Sequence, residues 1–294
     1  MTGTTNATML GFKELTGTEP KIKIVDIGAN PIDGEAPYSP LVRAGLAHVV
    51  GFEPNPEALA KLQTQKGPND TYLPHAVGDG ARHTLNICAA PGMTSLLTPN
   101  PGVLNLFHGF PHWGSVTSTR EVETVRLDDV PETAGLDLLK IDIQGGELMV
   151  FQNAERRLAD ALVIQTEVEF LPLYQAQPLF SDVDQFLRRR GFVLHRFFPE
   201  VSRVIQPLVV DNNIYAGLSQ IVWADAIFVK DFTRLDLLSD AQLLKMAAIL
   251  HECYRSFDLV LHLLTELDRR THGSLAARYL AGLTGKASSA GIAA

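Results

Sequence analysis

Three acidic residues stand where short apolar runs stop. They are Asp26 in Lys21-Ile22-Lys23-Ile24-Val25-Asp26-Ile27-Gly28, Glu53 in Gly51-Phe52-Glu53-Pro54, and Asp142 in Leu138-Leu139-Lys140-Ile141-Asp142-Ile143-Gln144-Gly145-Gly146. An apolar run of this length bounded by Gly suits a strand buried on both faces, as in a parallel sheet. An acid at its end lies at the carboxyl edge, where open α/β sheets bind ligands. Carboxylates gathered there can hold a cationic amine, accept hydrogen bonds from a ribose diol, or take a proton from an alcohol. A base of the last kind is worth about 10²- to 10⁴-fold in rate. Candidates for it are Asp142, Glu167 at the end of the run Leu162–Val168, and His108 or His112 in the aromatic stretch Phe107-His108-Gly109-Phe110-Pro111-His112-Trp113. Asp142 with Glu167 or Glu169 would also offer oxygen ligands to Mg²⁺. Two acids are a thin set for a cation, so Mg²⁺ is not favoured and no residue is assigned to a metal.

The turn after Asp26 discriminates among nucleotides. A dinucleotide site needs G-x-G-x-x-G, so that a pyrophosphate rests on a helix N-terminus. Only Gly28 of that set is present, and an acid just before the turn repels phosphate. Asp beside Gly suits a ligand with an ammonium group and no phosphate, such as S-adenosylmethionine. Glu53 would accept from both ribose hydroxyls, a role it would share with the acid of an NAD enzyme. An NAD-type oxidoreductase is therefore the weaker alternative. A non-catalytic protein that binds an adenosyl ligand for regulation is the stronger one.

These acids need a sheet to hold them. Strands are expected at Ile22–Ile27, His48–Phe52, Thr71–Ala76, Leu138–Ile143, Leu162–Val168, Phe192–Phe198 and Ala224–Val229. Helices are expected near Tyr38–Ala44, Pro56–Gln65, Gly146–Leu158 and Ser181–Arg190. The alternation indicates βαβ units and a doubly wound, mostly parallel α/β sheet. Two more β-like runs, His83–Cys88 and Glu121–Leu127, flank a long segment rich in Pro, Gly, Asn and aromatic residues. Loops of that length in a compact domain are usually functional, and 89–120 is expected to act as a lid over the acceptor. From Ser239 the period becomes helical. Leu243, Met246, Ala247, Leu250 and Tyr254 form one stripe, and Phe257, Val260, Leu261 and Leu264 another. The expected organisation is a loose arm over 1–20, a sheet domain over 21–235, a helical appendage over 236–284 and a frayed tail over 285–294. A homodimer through the appendage is one way to cover its stripes.

The chain has 294 residues, 46% of them hydrophobic, and a formal net charge of −8. An acidic balance argues against nucleic acid as a partner. No apolar run is long enough to span a membrane, and the N-terminus lacks the basic and apolar regions of a signal peptide. Two cysteines, Cys88 and Cys253, make no disulfide framework and fit a reducing, cytoplasmic setting.

Five pieces in order now carry a resemblance. Val25–Asn30, Gly51-Phe52-Glu53-Pro54-Asn55-Pro56, Ala76-Val77-Gly78-Asp79, Val125-Arg126-Leu127-Asp128-Asp129 and Leu139–Glu147 together resemble the FkbM family of S-adenosylmethionine-dependent methyltransferases. The resemblance runs from about Ile22 to Phe198. It implies the class I methyltransferase (Rossmann-like) fold, with one antiparallel edge strand at Ala224–Val229. It also implies O-methylation of a hydroxyl on a small molecule, natural product or sugar. By the same resemblance Asp26, Gly28, Ala29 and Asn30 would hold the methionine moiety and Glu53 the ribose. Pro54, Ala76 and Val77 would flank the adenine, Gly78 would let the chain turn, and Asp79 would reach the exocyclic amine. Asp142 would face the sulfonium or the acceptor. There are two departures. Ile32 stands where the family usually has a first-loop Gly, and Gln144 where it often has Glu.

Overall fold

The computed structural model describes residues 10–30 and 34–285. Seven strands form one sheet in the order β3-β2-β1-β7-β8-β10-β9. They are β1 (Ile22–Ile27), β2 (Ala47–Phe52), β3 (Thr71–Leu73), β7 (Leu138–Ile141), β8 (Val163–Glu169), β9 (Phe192–Arg203) and β10 (Gln220–Lys230). The pairs β2–β3, β1–β7 and β7–β8 are parallel. Strand β10 runs antiparallel to both β8 and β9. The antiparallel strand thus sits one place in from the edge, with β9 outside it. This is the mostly parallel α/β sheet that the alternating runs imply. A second sheet joins β4 (Ala76–Val77), β5 (Arg82–Cys88) and β6 (Val116–Val125) in the order β4-β6-β5.

Two faces of the large sheet differ in chemistry. Val25, Ile27, Leu139, Ile141, Ile164, Val168, Ala224, Ala226 and Phe228 belong to one buried cluster with Val150, Phe151, Leu158, Val183, Phe186 and Leu187 of the helices. The opposite face follows from the period of two. In register there, Asp26 lies across from Lys140, Lys140 from Gln165, and Glu167 from Asp225.

Several elements depart from the sequence-based expectation. The run Thr71–Ala76 is divided: β3 stops at Leu73, Pro74 and His75 are exposed, and Ala76–Val77 pairs instead with β6. The helix expected over Gly146–Leu158 is two, Glu147–Gln152 and Glu155–Asp160. Asp128 starts the second by accepting from the backbone N–H groups of Arg156 and Arg157, each at 3.0 Å, which satisfies donors that a continuous helix would have paired internally. Strand β6 is almost wholly exposed, so the β-like run Glu121–Leu127 marked only its second half. It also claims the last residues of the expected lid. What remains of that segment holds the short helices Pro101–Leu104 and Phe110–Trp113. These pack Leu104, Phe107 and Phe110 with Leu173, Tyr174 and Val222 into a small core of their own.

The chain divides into two compact units. One comprises 23–34 and 48–231, and the other 1–22, 35–47 and 232–294. The second unit holds helices Ser39–Arg43, Asp240–Tyr254, Phe257–Thr271 and Leu275–Thr284. The stripe Leu243, Met246, Ala247, Leu250, Tyr254 is buried, and Ser239 caps its helix by accepting from the Gln242 N–H. Residues expected to be a loose arm form a helix, Phe12–Thr16. Phe12 is fully buried beside His251 and Tyr279, which is enough apolar area to hold so short a helix. Residues 1–9, 31–33 and 286–294 lie outside the described residues, and with them Ile32 and most of the expected tail. None of the described helices is long and apolar enough to cross a membrane.

Candidate functional site

The turns at the carboxyl ends of β1, β2, β7 and β8 converge on one edge. The backbone N–H groups of Gly28 and Ala29 donate to the Phe52 carbonyl at 3.2 and 3.0 Å, and that of Asp142 to the Ile27 carbonyl at 3.1 Å. Gly28 has φ +82°, and a Cβ there would collide with the backbone oxygen of Asp142. Only glycine lets these two turns approach so closely. Asp142 therefore sits one residue past β7, beside the first turn.

Asp26 is buried and meets Lys140, whose Nζ lies 3.3 Å from Asp26 Oδ1 and donates to the Gly28 carbonyl at 3.1 Å. Burial works to lower the Lys140 ammonium, but Asp26 and Asp142 outweigh it and hold the group above its usual range. Lys140 stays charged and neutralises part of the acidic row. Farther along, Gln165 Nε2 donates to Asp225 Oδ2 at 2.6 Å. Glu53 is buried at the end of β2, where its Oε1 accepts from the Asn55 N–H at 2.7 Å. Burial pushes its carboxyl up, and the Asn55 bond partly opposes this.

Around Asp142 the acids crowd together. Gln144 Nε2 donates to Asp142 Oδ1 at 2.9 Å and to Glu167 Oε2 at 2.7 Å. Burial, followed by the charge of Asp142 and then that of Glu169, pushes the Glu167 carboxyl well above the usual carboxylate range. Glu169 is raised for the same first reason, then by Glu147 and Asp142. Glu147 accepts from the Ile143 N–H at 2.8 Å, and burial lifts it to about 7. Burial also raises the Tyr174 hydroxyl, which lies 3.2 Å from Gln144 Oε1. One amide thus bridges two carboxyl groups, the Glu167 carboxyl raised by burial, and brings both to the same edge.

The residues expected at the site separate into groups. Asp142 and Glu167 come together through Gln144. Gly28, Ala29, Asn30, Glu53 and Pro54 line the adjoining turns of β1 and β2. Ala76, Val77, Gly78 and Asp79 follow β3 into the small sheet, where Asp79 accepts from His83 at 2.8 Å and Thr124 at 3.3 Å. Those contacts keep its carboxyl below the usual range. A Cβ on Gly78 would press on Thr124 at 2.9 Å. His112 is exposed on the helix Phe110–Trp113, and among the described residues no hydrogen bond joins it to Asp142 or Glu167. His108 Nε2 is engaged with the Leu208 carbonyl at 2.9 Å. No group of three or more His, Cys, Asp and Glu side chains among the described residues is arranged to hold a metal ion. Sequence reasoning missed Lys140 and Tyr174 as parts of this edge. Lys140 alone carried a signal, as a charge inside an otherwise apolar strand.

A family model for the methyltransferase FkbM domain matches residues 26–194. The chain is 29% identical to the 2-O-methyltransferase NoeI of Sinorhizobium fredii over 185 residues, which cover 56% of this chain and 71% of that one. Among solved structures it is similar to a precorrin-6y C5,15-methyltransferase from Geobacter metallireducens (TM-score 0.36, 16% identity, 74% of this chain and 85% of that one). It is also similar to a 16S rRNA (adenine(1408)-N(1))-methyltransferase from Catenulisporales acidiphilia (TM-score 0.35, 10% identity, 74% and 89%).

Proposed function

Because this chain belongs to the FkbM methyltransferase family, we propose that it transfers the methyl group of S-adenosylmethionine to a hydroxyl oxygen of a small molecule. The observation that carries the reading is the pair Asp142 and Glu167, joined by one amide beside the Gly28 turn. The residues on the adjoining turns fit the cofactor by their chemistry. Glu53 offers a buried carboxyl at the end of β2, suited to a diol. Asp26 and Asn30 are acceptors for an ammonium group. When bound, the cofactor supplies a methyl group already activated by a sulfonium.

The protein's part is then alignment and proton handling. Holding an acceptor oxygen in line with a methyl carbon is worth roughly 7–11 kcal/mol. Asp142 orients the hydroxyl and takes its proton as the oxygen–carbon bond forms. Burial and the charge of Asp142 raise the Glu167 carboxyl beside it. The 2-O designation of NoeI supports oxygen as the acceptor atom. His112 has a lesser claim, as a group that an acceptor would have to meet from the aromatic segment.

The test joins cofactor binding to turnover. Calorimetry should give a micromolar-range affinity for S-adenosylhomocysteine, weakened in Glu53→Ala by about 1.5–3 kcal/mol, the scale of a hydrogen bond to a charged group. Asp142→Asn should lower turnover about 10²-fold or more with the fold intact. A loss of only a few-fold would make Asp142 a structural strand-end residue and move the base to the aromatic segment.

A further inference from the structure

Gln144 carries the amide that joins Asp142 and Glu167, and its own placement is constrained from several sides. Its backbone has φ +61°, a left-handed conformation that strains a residue with a Cβ unless its surroundings impose it. Four contacts impose it here. Nε2 donates to Asp142 Oδ1 and to Glu167 Oε2, at 2.9 and 2.7 Å. Oε1 lies 3.2 Å from the Tyr174 hydroxyl, and the backbone carbonyl accepts from Ser95 Oγ at 2.6 Å. The Tyr174 hydroxyl also reaches the Met93 carbonyl at 3.2 Å, and Ser95 Oγ accepts from the Leu97 N–H at 2.9 Å. Both anchors therefore belong to well-packed surroundings: Tyr174 is fully buried and Ser95 nearly so.

The amide's two hydrogens are divided between two carboxyl groups, and its one oxygen faces the hydroxyl. A neutral donor can bind both acids without adding charge. It takes Oδ1 of Asp142 and Oε2 of Glu167, so Asp142 Oδ2 and Glu167 Oε1 stay outside the clamp at a fixed separation. Strain at a functional edge, over-determined by its neighbours, indicates preorganisation.

We propose that Gln144 is a positioning residue, held by Tyr174 and Ser95, that clamps Asp142 and Glu167 in the geometry in which one of them meets the acceptor hydroxyl. This rests on the methyltransferase reading above. It also gives the segment Met93–Leu97 a mechanical connection to the acids, because Ser95 bonds to Gln144 directly and the Met93 carbonyl meets Tyr174.

The charge environment makes the clamp testable by pH. Glu167 faces Asp142 just past β7, Glu169 on its own strand, Asp225 on β10, Glu147 on the helix after β7 and the Tyr174 hydroxyl. Gln144→Glu would add a further carboxyl where the neutral donor stands and would disfavour ionisation of the pair. The acid limb of the turnover profile should then move to higher pH, with turnover at neutral pH falling about tenfold or more. Gln144→Gly separates function from folding. Glycine adopts φ +61° without strain, so the melting temperature should hold or rise while turnover falls about tenfold. Tyr174→Phe should lower turnover several-fold, and the double variant Gln144→Gly/Tyr174→Phe should be little slower than Gln144→Gly alone. In all of these, calorimetry with S-adenosylhomocysteine should stay within about threefold of the parent, since the clamp serves the acceptor side.

Each result decides something. If the parent binds S-adenosylhomocysteine and methylates a hydroxyl acceptor, but Gln144→Gly keeps full turnover and Gln144→Glu keeps the parent's pH profile, the clamp is structural and this proposal alone fails. If the parent neither binds S-adenosylhomocysteine nor methylates any hydroxyl acceptor, the functional reading fails and the clamp falls with it.

Discussion

Glu147 shows how far a single residue can tie this site to pH. Its carboxyl is almost completely buried, and burial lifts it from 4.5 to about 7 while the Ile143 N–H opposes the rise. A carboxyl raised in the folded state binds more protons there than in the unfolded chain between those two values. Its stabilising contribution is complete below about 4.5 and is lost as the pH climbs through about 7. Glu167 and Glu169 are raised as well and act in the same direction. Urea unfolding of the parent should therefore show stability declining as pH rises toward and past neutrality. Glu147→Gln, which keeps an acceptor for the Ile143 N–H, should flatten that decline. An equal slope in the variant would mean that Glu147 titrates normally. The residue scale also shows what sequence could not supply. Asp142 and Glu53 were legible because an acid ending an apolar run is conspicuous. Gln144 stood out only as a departure from the family's usual Glu and Tyr174 not at all, because their roles come from a backbone angle and from contacts between segments far apart in the chain.

Among the elements, the aromatic segment is the one whose behaviour packing decides. Phe107 is fully buried, 5.2 Å from the Phe110 ring, and Phe110 is 5.2 Å from Trp113. Trp113 in turn stacks on Tyr215 at 5.4 Å. Through these rings the segment packs on Leu173, Tyr174 and Val222, and it stays seated as long as that small core holds. Phe107→Ala should destabilise it by about 3–5 kcal/mol. Hydrogen exchange should then accelerate at Leu104, Trp113 and Gly114, whose N–H groups bond within the segment, and leave the amides of β1 protected. Unaltered exchange at the three would show that Phe107 is not the segment's keystone. The helix divided at Asn153–Ala154 teaches a related lesson. Its apolar period runs on unbroken in sequence, and only Asp128, brought in from a distant turn, starts a second helix there.

Considered whole, the protein should respond to its cofactor as a thermodynamic unit. A ligand that binds only the folded state at a hundredfold excess over its Kd adds about 2.7 kcal/mol, and in a chain of this size raises Tm on the order of 5 °C. S-adenosylhomocysteine should give such a shift in a thermal melt, and NAD should give none. A shift with NAD alone would revive the oxidoreductase alternative. Sequence by itself determined the α/β alternation, the buried strands and the acids at their ends, because burial on both faces demands continuous apolar runs and Gly marks where they stop. It likewise determined the helical period after Ser239, which sixteen or so residues of amphipathic pattern make unambiguous. Tertiary structure alone decided that Asp79 is engaged by His83 and Thr124 in a second sheet, that Phe12 anchors a helix among distant partners, and that Asp142 and Glu167 share one amide. Each of these depends on contacts across tens to hundreds of residues, and local pattern carries no information about which distant group will arrive to satisfy a buried donor or acceptor.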